Sequence, residues 1–239
     1  MKVYKETTAM EIEDSDIIDG VLNIPEGIER IMIRFAKGKH KDNVKTVVLP
    51  STLISIGSFA FSECKKLEIV DCSKCKILRK IEGKAFFNCS KLNTFNFAYL
   101  NILEEIGKET FAGTALSSIG FSPETGPLVI QERVFSNCHK LMSANLGWRL
   151  TRLESYCFNE NEVLQRVGIF SNDELTIEEF AFNNCQLLTE FHYYGTLMHT
   201  SENAFENCPE FILATNKGRY TLPDTNIDTI SLILVEDNL

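Results

Sequence analysis

The sequence predicts a solenoid of α/β class, coiled so that parallel strands stack on one face and short helices or turns lie opposite. Three observations carry this. A phenylalanine returns at Phe61, Phe86, Phe111, Phe135, Phe158, Phe182 and Phe205, at steps of 25, 25, 24, 23, 24 and 23 residues. Each stands in a recurring frame. Five residues before it is Ile56, Ile81, Ile106, Ile130, Leu153 or Ile177, with Thr200 as the exception. Three residues after it is Cys64, Cys89, Thr114, Cys138, Asn161, Cys185 or Cys208. Finally, each unit opens with a short alternation of apolar and polar residues. Self-similarity at a period of two dozen residues marks a repeat array in which each unit buries its apolar side against the next.

Residues 1–43 read as an acidic N-terminal segment and cap. Met1 to Asp19 is polar, with Glu11, Glu13, Asp14, Asp16 and Asp19, and reads either as a tail or as a first strand. Gly20 to Ile31 has the front half of a repeat without a phenylalanine–cysteine half. A degenerate first unit suits the end of a stack, whose core must be covered.

Residues 44–216 form the repeat array. The inward pairs expected from the alternation are Val47/Leu49, Val70/Cys72, Phe95/Phe97, Ile119/Phe121, Ala144/Leu146, Val167/Ile169 and Phe191/Tyr193. Period-two alternation over about five residues reads as a half-buried strand. One strand per unit, always in the same direction, must pair in parallel. Turns follow at Pro50, Pro123, Pro127 and Asn172. The phenylalanine segment, for example Gly57 to Cys64, suits one helical turn or a short helix, and its stacked rings should form one column. Residues 217–239 read as a C-terminal cap. Phe211 to Asn216 forms a last strand, Lys217 to Asn226 is polar, and Thr229 to Val235 is a closing strand over the exposed end of the core.

Composition narrows the partners. Thirty-three acids against 24 bases give a formal charge of −9, which disfavours nucleic acid and anionic membranes. The run Arg34, Lys37, Lys39, His40, Lys41 and Lys45 is the local exception and reads as a solvated loop or a seat for an acidic partner. No apolar run approaches the ~20 residues of a membrane span, and no apolar signal region opens the chain. The expectation is a chain that is cytoplasmic, exported without a classical signal peptide, or trimmed, with no membrane insertion.

The unit Leu-Pro, Ile-Gly, Ala-Phe, two residues, Cys, two residues, Leu resembles the BspA-like leucine-rich repeat. Leu49-Pro50, Ile56-Gly57, Ala60-Phe61, Cys64 and Leu67 match it closely. Ile81 to Leu92 and Ile177 to Leu188 match well, and the third and fifth repeats match loosely. The resemblance covers about Val21 to Asn216. It implies a right-handed leucine-rich-repeat solenoid with strands on the concave face, and the role of an adhesin or protein-binding scaffold.

Candidate chemistry is sparse. Five of the eight cysteines share one repeat position with Thr114 and Asn161. A small residue hydrogen-bonding to turn backbone explains all seven, so the expectation is a ladder of free thiols rather than disulfides. Cys72 and Cys75 have the spacing of half a zinc site with no second pair, and Cys157 precedes Phe158 as a core residue. His139 and Cys138 are adjacent and point apart. No nucleophile elbow, phosphate loop or zinc-protease motif occurs. The sequence therefore predicts no catalytic residue, metal or cofactor.

What remains is the outward row of the strands, small and polar. From it we expect a monomeric, non-catalytic module that binds a protein partner through Asp71, Asn96, Asn145, Arg166, Glu190 and His192. Glu190 and His192 should form a hydrogen-bonded pair. Tyr193 or Tyr194 and Trp148 are conceivable anchors, although Trp148 reads more readily as a partly buried turn residue. The alternatives are a surface adhesin or host-directed secreted effector, and a cysteine-dependent enzyme.

Overall fold

The computed structural model describes residues 1–4, 6–122, 129–170, 174–209, 211–215, 218–222 and 232–233. They form a parallel-strand β-solenoid of about eight turns. Among them the only helices are short 3-10 turns at Asp14–Asp16, Gly38–Asn43 and Phe97–Tyr99.

Each turn of the coil has three sides. The first carries the expected strands: Val21–Asn23, Thr46–Val48, Ile69–Asp71, Thr94–Phe95, Ser118–Gly120, Ser143–Asn145, Arg166–Ile169, Glu190–Tyr193 and Phe211–Thr215. Every residue of the seven inward pairs is buried. Parallel registers such as Val47↔Val70 and Val167↔Phe191 keep them stacked.

The second side is a sheet that the sequence did not suggest, built from two-residue strands such as Arg30–Ile31, Ser55–Ile56, Lys80–Ile81 and Glu105–Ile106. It continues in Val129–Ile130, Arg152–Leu153, Glu174–Ile177 and Leu197–Thr200. Its inward residues are the aliphatics five places before each phenylalanine. Gly57 is required here because a Cβ would lie 2.7 Å from the Ile31 carbonyl oxygen of the preceding turn.

The third side corrects the helical option for the phenylalanine segment. It is a run of turns with left-handed backbone two residues before and two after the phenylalanine: Phe59 and Glu63, Lys84 and Asn88, Arg133 and Asn137, Tyr156 and Glu160. That alternation aims the N–H groups along the stack. Phe59, Phe61 and Glu63 donate to the carbonyls of Gly83, Ala85 and Phe87 at 3.1, 2.8 and 2.7 Å. A helix would have spent those groups within its own turn. The pattern also reaches the first unit, which does have a turn half. Arg34 and Ala36 donate to the Ser58 and Ala60 carbonyls, and Phe35, transposed with Ala36, meets Phe61 edge-on at 5.7 Å.

The seven phenylalanines stack as one buried column, with successive ring centroids 5.4, 5.4, 5.6, 5.4, 5.2 and 5.1 Å apart. Offset stacking adds about 0.5–1.5 kcal/mol per pair to the burial of the rings. At the cysteine position side chains bond to carbonyls of the column phenylalanines, mostly that of the preceding turn. Cys89, Cys138, Cys185 and Cys208 donate from Sγ to Phe61, Phe111, Phe158 and Phe182 at 3.0–3.3 Å. Asn161 reaches both Phe135 and Phe158 at 2.8 Å, and Thr114 reaches Phe111 at 2.8 Å. All eight cysteines are free and buried.

Both ends are closed by antiparallel strands, which cover the otherwise unpaired edges. Lys2–Tyr4 pairs with Thr8–Glu11 and Ile17–Ile18 with Val21–Asn23. Gly218–Leu222, read from sequence only as part of a polar stretch, pairs with Phe211–Thr215. Leu232–Ile233 pairs with Leu197–Thr200, inside the expected closing strand. The remainder of that strand, and the turn markers Pro123, Pro127 and Asn172, lie outside the described residues.

Both sheets divide at the same place. Thr94–Phe95 and Ser118–Gly120 are not paired, nor are Glu105–Ile106 and Val129–Ile130. The interior here holds Phe95, Phe97 and Phe121 in two consecutive turns. Phe97 contacts Phe95, Phe111 and Phe121 at 4.7, 5.2 and 5.0 Å. Only the third side runs unbroken, with Glu109, Phe111 and Gly113 donating to Glu132, Val134 and Ser136.

Two stability measurements follow. Phe111→Ala, at the centre of the column, should cost about 3–5 kcal/mol in denaturant unfolding. Glu160→Asn should instead stabilise by roughly 0.5–1 kcal/mol, because Glu160 is exposed and left-handed (φ 58°) and asparagine tolerates that region better.

Candidate functional site

The outward strand row is where the sequence places the site, and the structure brings together only part of it. Asp71 and Asn96 belong to the first half of the coil. Asn145, Arg166, Glu190 and His192 share the sheet of the second. There, register places Ser143, Arg166, Glu190 and Ile212 in one line across four strands. Asn145, Gly168, His192 and Ala214 form the next.

Three of the six have local work. Asp71 Oδ1 accepts the Ser73 amide at 3.0 Å, Asn96 Oδ1 the Ala98 amide at 3.1 Å, and Asn145 Oδ1 the Gly147 amide at 3.3 Å. Each closes an Asx turn that ends a strand. Hydrogen bonds from Ser73 hold the Asp71 carboxyl below its ordinary range. The remaining three, Arg166, Glu190 and His192, lie on the paired strands Arg166–Ile169 and Glu190–Tyr193.

Glu190 and His192 pair as expected, Oε2 to Nε2 at 3.0 Å, and His192 Nδ1 lies 3.3 Å from the Tyr194 hydroxyl. Tyr194 stacks on Phe170 at 5.3 Å and 11°. The partly exposed patch is therefore Arg166, Gly168, Phe170, Glu190, His192 and Tyr194. Phe170 was missed because it follows its strand; its signal is the alignment with Tyr194 one repeat later. Tyr193 is not an anchor: it is 1% exposed, and its hydroxyl donates to the Leu197 carbonyl. Trp148, 47% exposed, is more open than a partly buried turn residue.

A second ordered surface lies on the third side, at the left-handed position before each column phenylalanine. Lys84 Nζ sits 5.7 Å above the Phe59 ring and 5.5 Å above Phe87, and Arg133 lies 4.4 Å over Tyr156. Tyr156 in turn stacks on Phe180 at 5.1 Å. The cations here are tied to acids, Lys84 to Glu109 at 3.2 Å and Arg133 to Glu132. The basic run beside it is likewise paired in part, with Lys37 to Glu11, Lys41 to Glu63 and His40 to Asp14 at 3.2, 3.2 and 2.7 Å.

Six of the eight thiols are poor nucleophiles, with pKa values raised above the ordinary one. Burial pushes Cys72 to about 11, Cys75 to about 12 and Cys138 to about 11, from an ordinary 9.0. Burial also raises Cys157 and Cys185, whereas hydrogen bonding to Cys89 and then burial raise Cys64. Among the described residues no three His, Cys, Asp or Glu side chains lie together as metal ligands. Nor is any described helix long and apolar enough to cross a membrane.

A stacked coil with one repeated turn, closed ends and an ordered polar strand face is a solenoid of the leucine-rich-repeat class. The sequence pattern described as the BspA type leucine rich repeat region matches in six copies, over residues 22–128 and 104–217, and the chain belongs to that family. Comparison with curated proteins finds none that matches. Among solved structures, a leucine-rich repeat protein of T. pallidum aligns with TM-score 0.61 at 19% identity, covering 76% of this chain and 82% of that one. One from Eubacterium ventriosum gives 0.60 at 19%, covering 84% and 63%. A leucine rich cell surface protein of Faecalibacterium prausnitzii gives 0.50 at 18%, covering 82% and 69%. At such identities these likenesses establish the fold alone.

The thiols make a pH prediction. Below pH ~8.5 they are neutral folded or unfolded, and their contribution is fully present. As pH rises towards 11–12 the unfolded chain ionises first, so stability should fall by up to about 1.4 kcal/mol per pH unit per buried thiol. Denaturant midpoints from pH 7 to 11 measure this. Replacing Cys138 by Ser should flatten the slope.

Proposed function

We propose that the chain is a non-catalytic protein-interaction module. It binds its partner on the outward strand face, the concave side of a right-handed coil, centred on Arg166, Glu190 and His192 with Phe170 and Tyr194 beside them. The observation that carries this is the division of labour on that face. Asp71, Asn96 and Asn145 are engaged in Asx turns, so they shape the face. The charged trio next to a stacked aromatic pair has the composition of an interface hot spot. Family membership supports protein binding in general. The burial of all eight thiols, with pKa values raised at Cys64, Cys72, Cys75, Cys138, Cys157 and Cys185, speaks against a cysteine-dependent enzyme.

A second reading, a surface adhesin or a secreted effector, draws support from the fold's occurrence in a cell surface protein of F. prausnitzii and in the pneumococcal vaccine antigen PcpA. It uses the same face and differs in where the partner is met.

The test is affinity capture from lysate with the full chain as bait, followed by titration of the captured protein. Changing Arg166, Glu190 and His192 together to alanine should weaken binding by at least ~10-fold. Asp71→Ala and Asn145→Ala should lower thermal stability with less effect on affinity. Undiminished binding by the triple variant places the interface elsewhere.

A further inference from the structure

We infer that the break in the strand face is itself a binding site, one that takes an extended, uncharged peptide segment of a partner by strand pairing. This rests on the interaction reading above and adds to it the mode of recognition.

On most strands of this side, Ser143 excepted, the first outward residue donates its amide to the preceding turn. Thr46 donates to the Gly20 carbonyl, Ile69 to Lys45, Thr94 to Glu68, Arg166 to Met142 and Glu190 to Gln165, at 3.1–3.4 Å. The same geometry would send Ser118 N–H to the Asn93 carbonyl, and that bond is not made. A second repeated bond runs forward from the residue after the strand: Leu49 to Asp71, Phe121 to Asn145 and Leu146 to Gly168, at 2.8–3.1 Å. Its counterpart, from Phe97 N–H to the Gly120 carbonyl, is missing too. Thr94–Phe95 pairs only backwards and Ser118–Gly120 only forwards. Two strand edges therefore face each other across an open cleft with their ladder groups unspent.

The cleft is built to be entered. Its volume is about 320 Å³, with Asn93, Thr94 and Asn96 on one wall, Ser118 and Gly120 on the other, and Phe95 and Phe97 beneath. Those rings are at most 5% exposed, so the core is sealed below it. A Cβ on Gly120 would meet nothing within 4 Å. The walls carry no charge, and what they offer is backbone N–H and C=O at the period of a strand. The chemistry that answers such an edge is another extended backbone, as in β-strand addition. A small anion or a helix satisfies only one kind of group. The free edge lies inside the coil rather than at an end, because both ends are capped.

The experiment uses the full chain. Backbone amide exchange of Ser118 and Gly120 should be at least ~10-fold faster than that of Arg166 and Gly168, which sit in an intact ladder. A random heptapeptide library displayed on phage should then yield binders that slow exchange at Ser118 and Gly120. Gly120→Trp fills the cleft from a position with open space. Ser118→Pro removes a donor that no ladder bond uses, so it should fold where Arg166→Pro does not. Both cleft variants should lose the selected peptides by at least ~10-fold. The inference is overturned if Ser118 and Gly120 are already protected without peptide, or if Ser118→Pro unfolds as Arg166→Pro does. It also falls if no peptides are selected, or if those selected leave these amides exposed or bind both variants unchanged. A partner that still depends on Arg166, Glu190 and His192 would leave the broader interaction reading standing.

Discussion

The constraint on which this molecule depends is the bond spacing of the phenylalanine turn. Stacking repeats at strand spacing requires every turn of chain to hand its hydrogen bonds to the next. On two sides strands do this. On the third the chain must reverse direction, and an ordinary helical turn would close its bonds on itself. Left-handed residues two before and two after the phenylalanine aim three amides along the stack. That conformation costs residues other than glycine about 1–2 kcal/mol each. The ring column offsets it, since every turn adds one buried phenylalanine and one stacking contact. Backbone and column require one another: the left-handed pair sets the ring pitch, and the rings hold the pair.

The cysteine position follows from the same geometry. A carbonyl on the column phenylalanine of the preceding turn points at a site too tight for a large side chain. A thiol and an amide reach it from Cys89 and Asn161, whereas the Thr114 hydroxyl donates to the Phe111 carbonyl of its own turn. Asn161 does the most, because its Oδ1 also accepts the Cys138 amide at 2.8 Å. These are buried donors with a partner, so the polar atoms at this position are not left unsatisfied. The thiols are free because the position demands a donor to backbone, and pairing two of them would leave two carbonyls unmet.

Sequence periodicity revealed the repeat, the column, the inward pairs and the thiol ladder, because each leaves a residue type at a fixed spacing. It could not reveal what leaves no such trace. The second sheet is built of strands such as Ser55–Ile56 and Lys80–Ile81, too short to alternate, and only the aliphatic before each phenylalanine hinted at it. The Asx turns at Asp71, Asn96 and Asn145 were invisible for another reason. An outward asparagine reads as a binding residue until the direction of its oxygen is known. Gly218–Leu222 was hidden by composition, since it sits in a stretch that reads as polar. The turn half of the first unit escaped because Phe35 and Ala36 stand in reversed order.

The break between the halves shows how a repeat protein acquires a distinct place without acquiring a new element. Phe95, Phe97 and Phe121 obey the inward pattern individually, and no one of them is out of register. Two ladders open beside them, while the third side, tied by Glu109, Phe111 and Gly113, stays closed. An array of equivalent turns has no preferred address for a ligand. A break between two turns distinguishes one place in this array from the others. A repeat array can therefore mark one turn through its backbone pairing as much as through the side chains that line its surface.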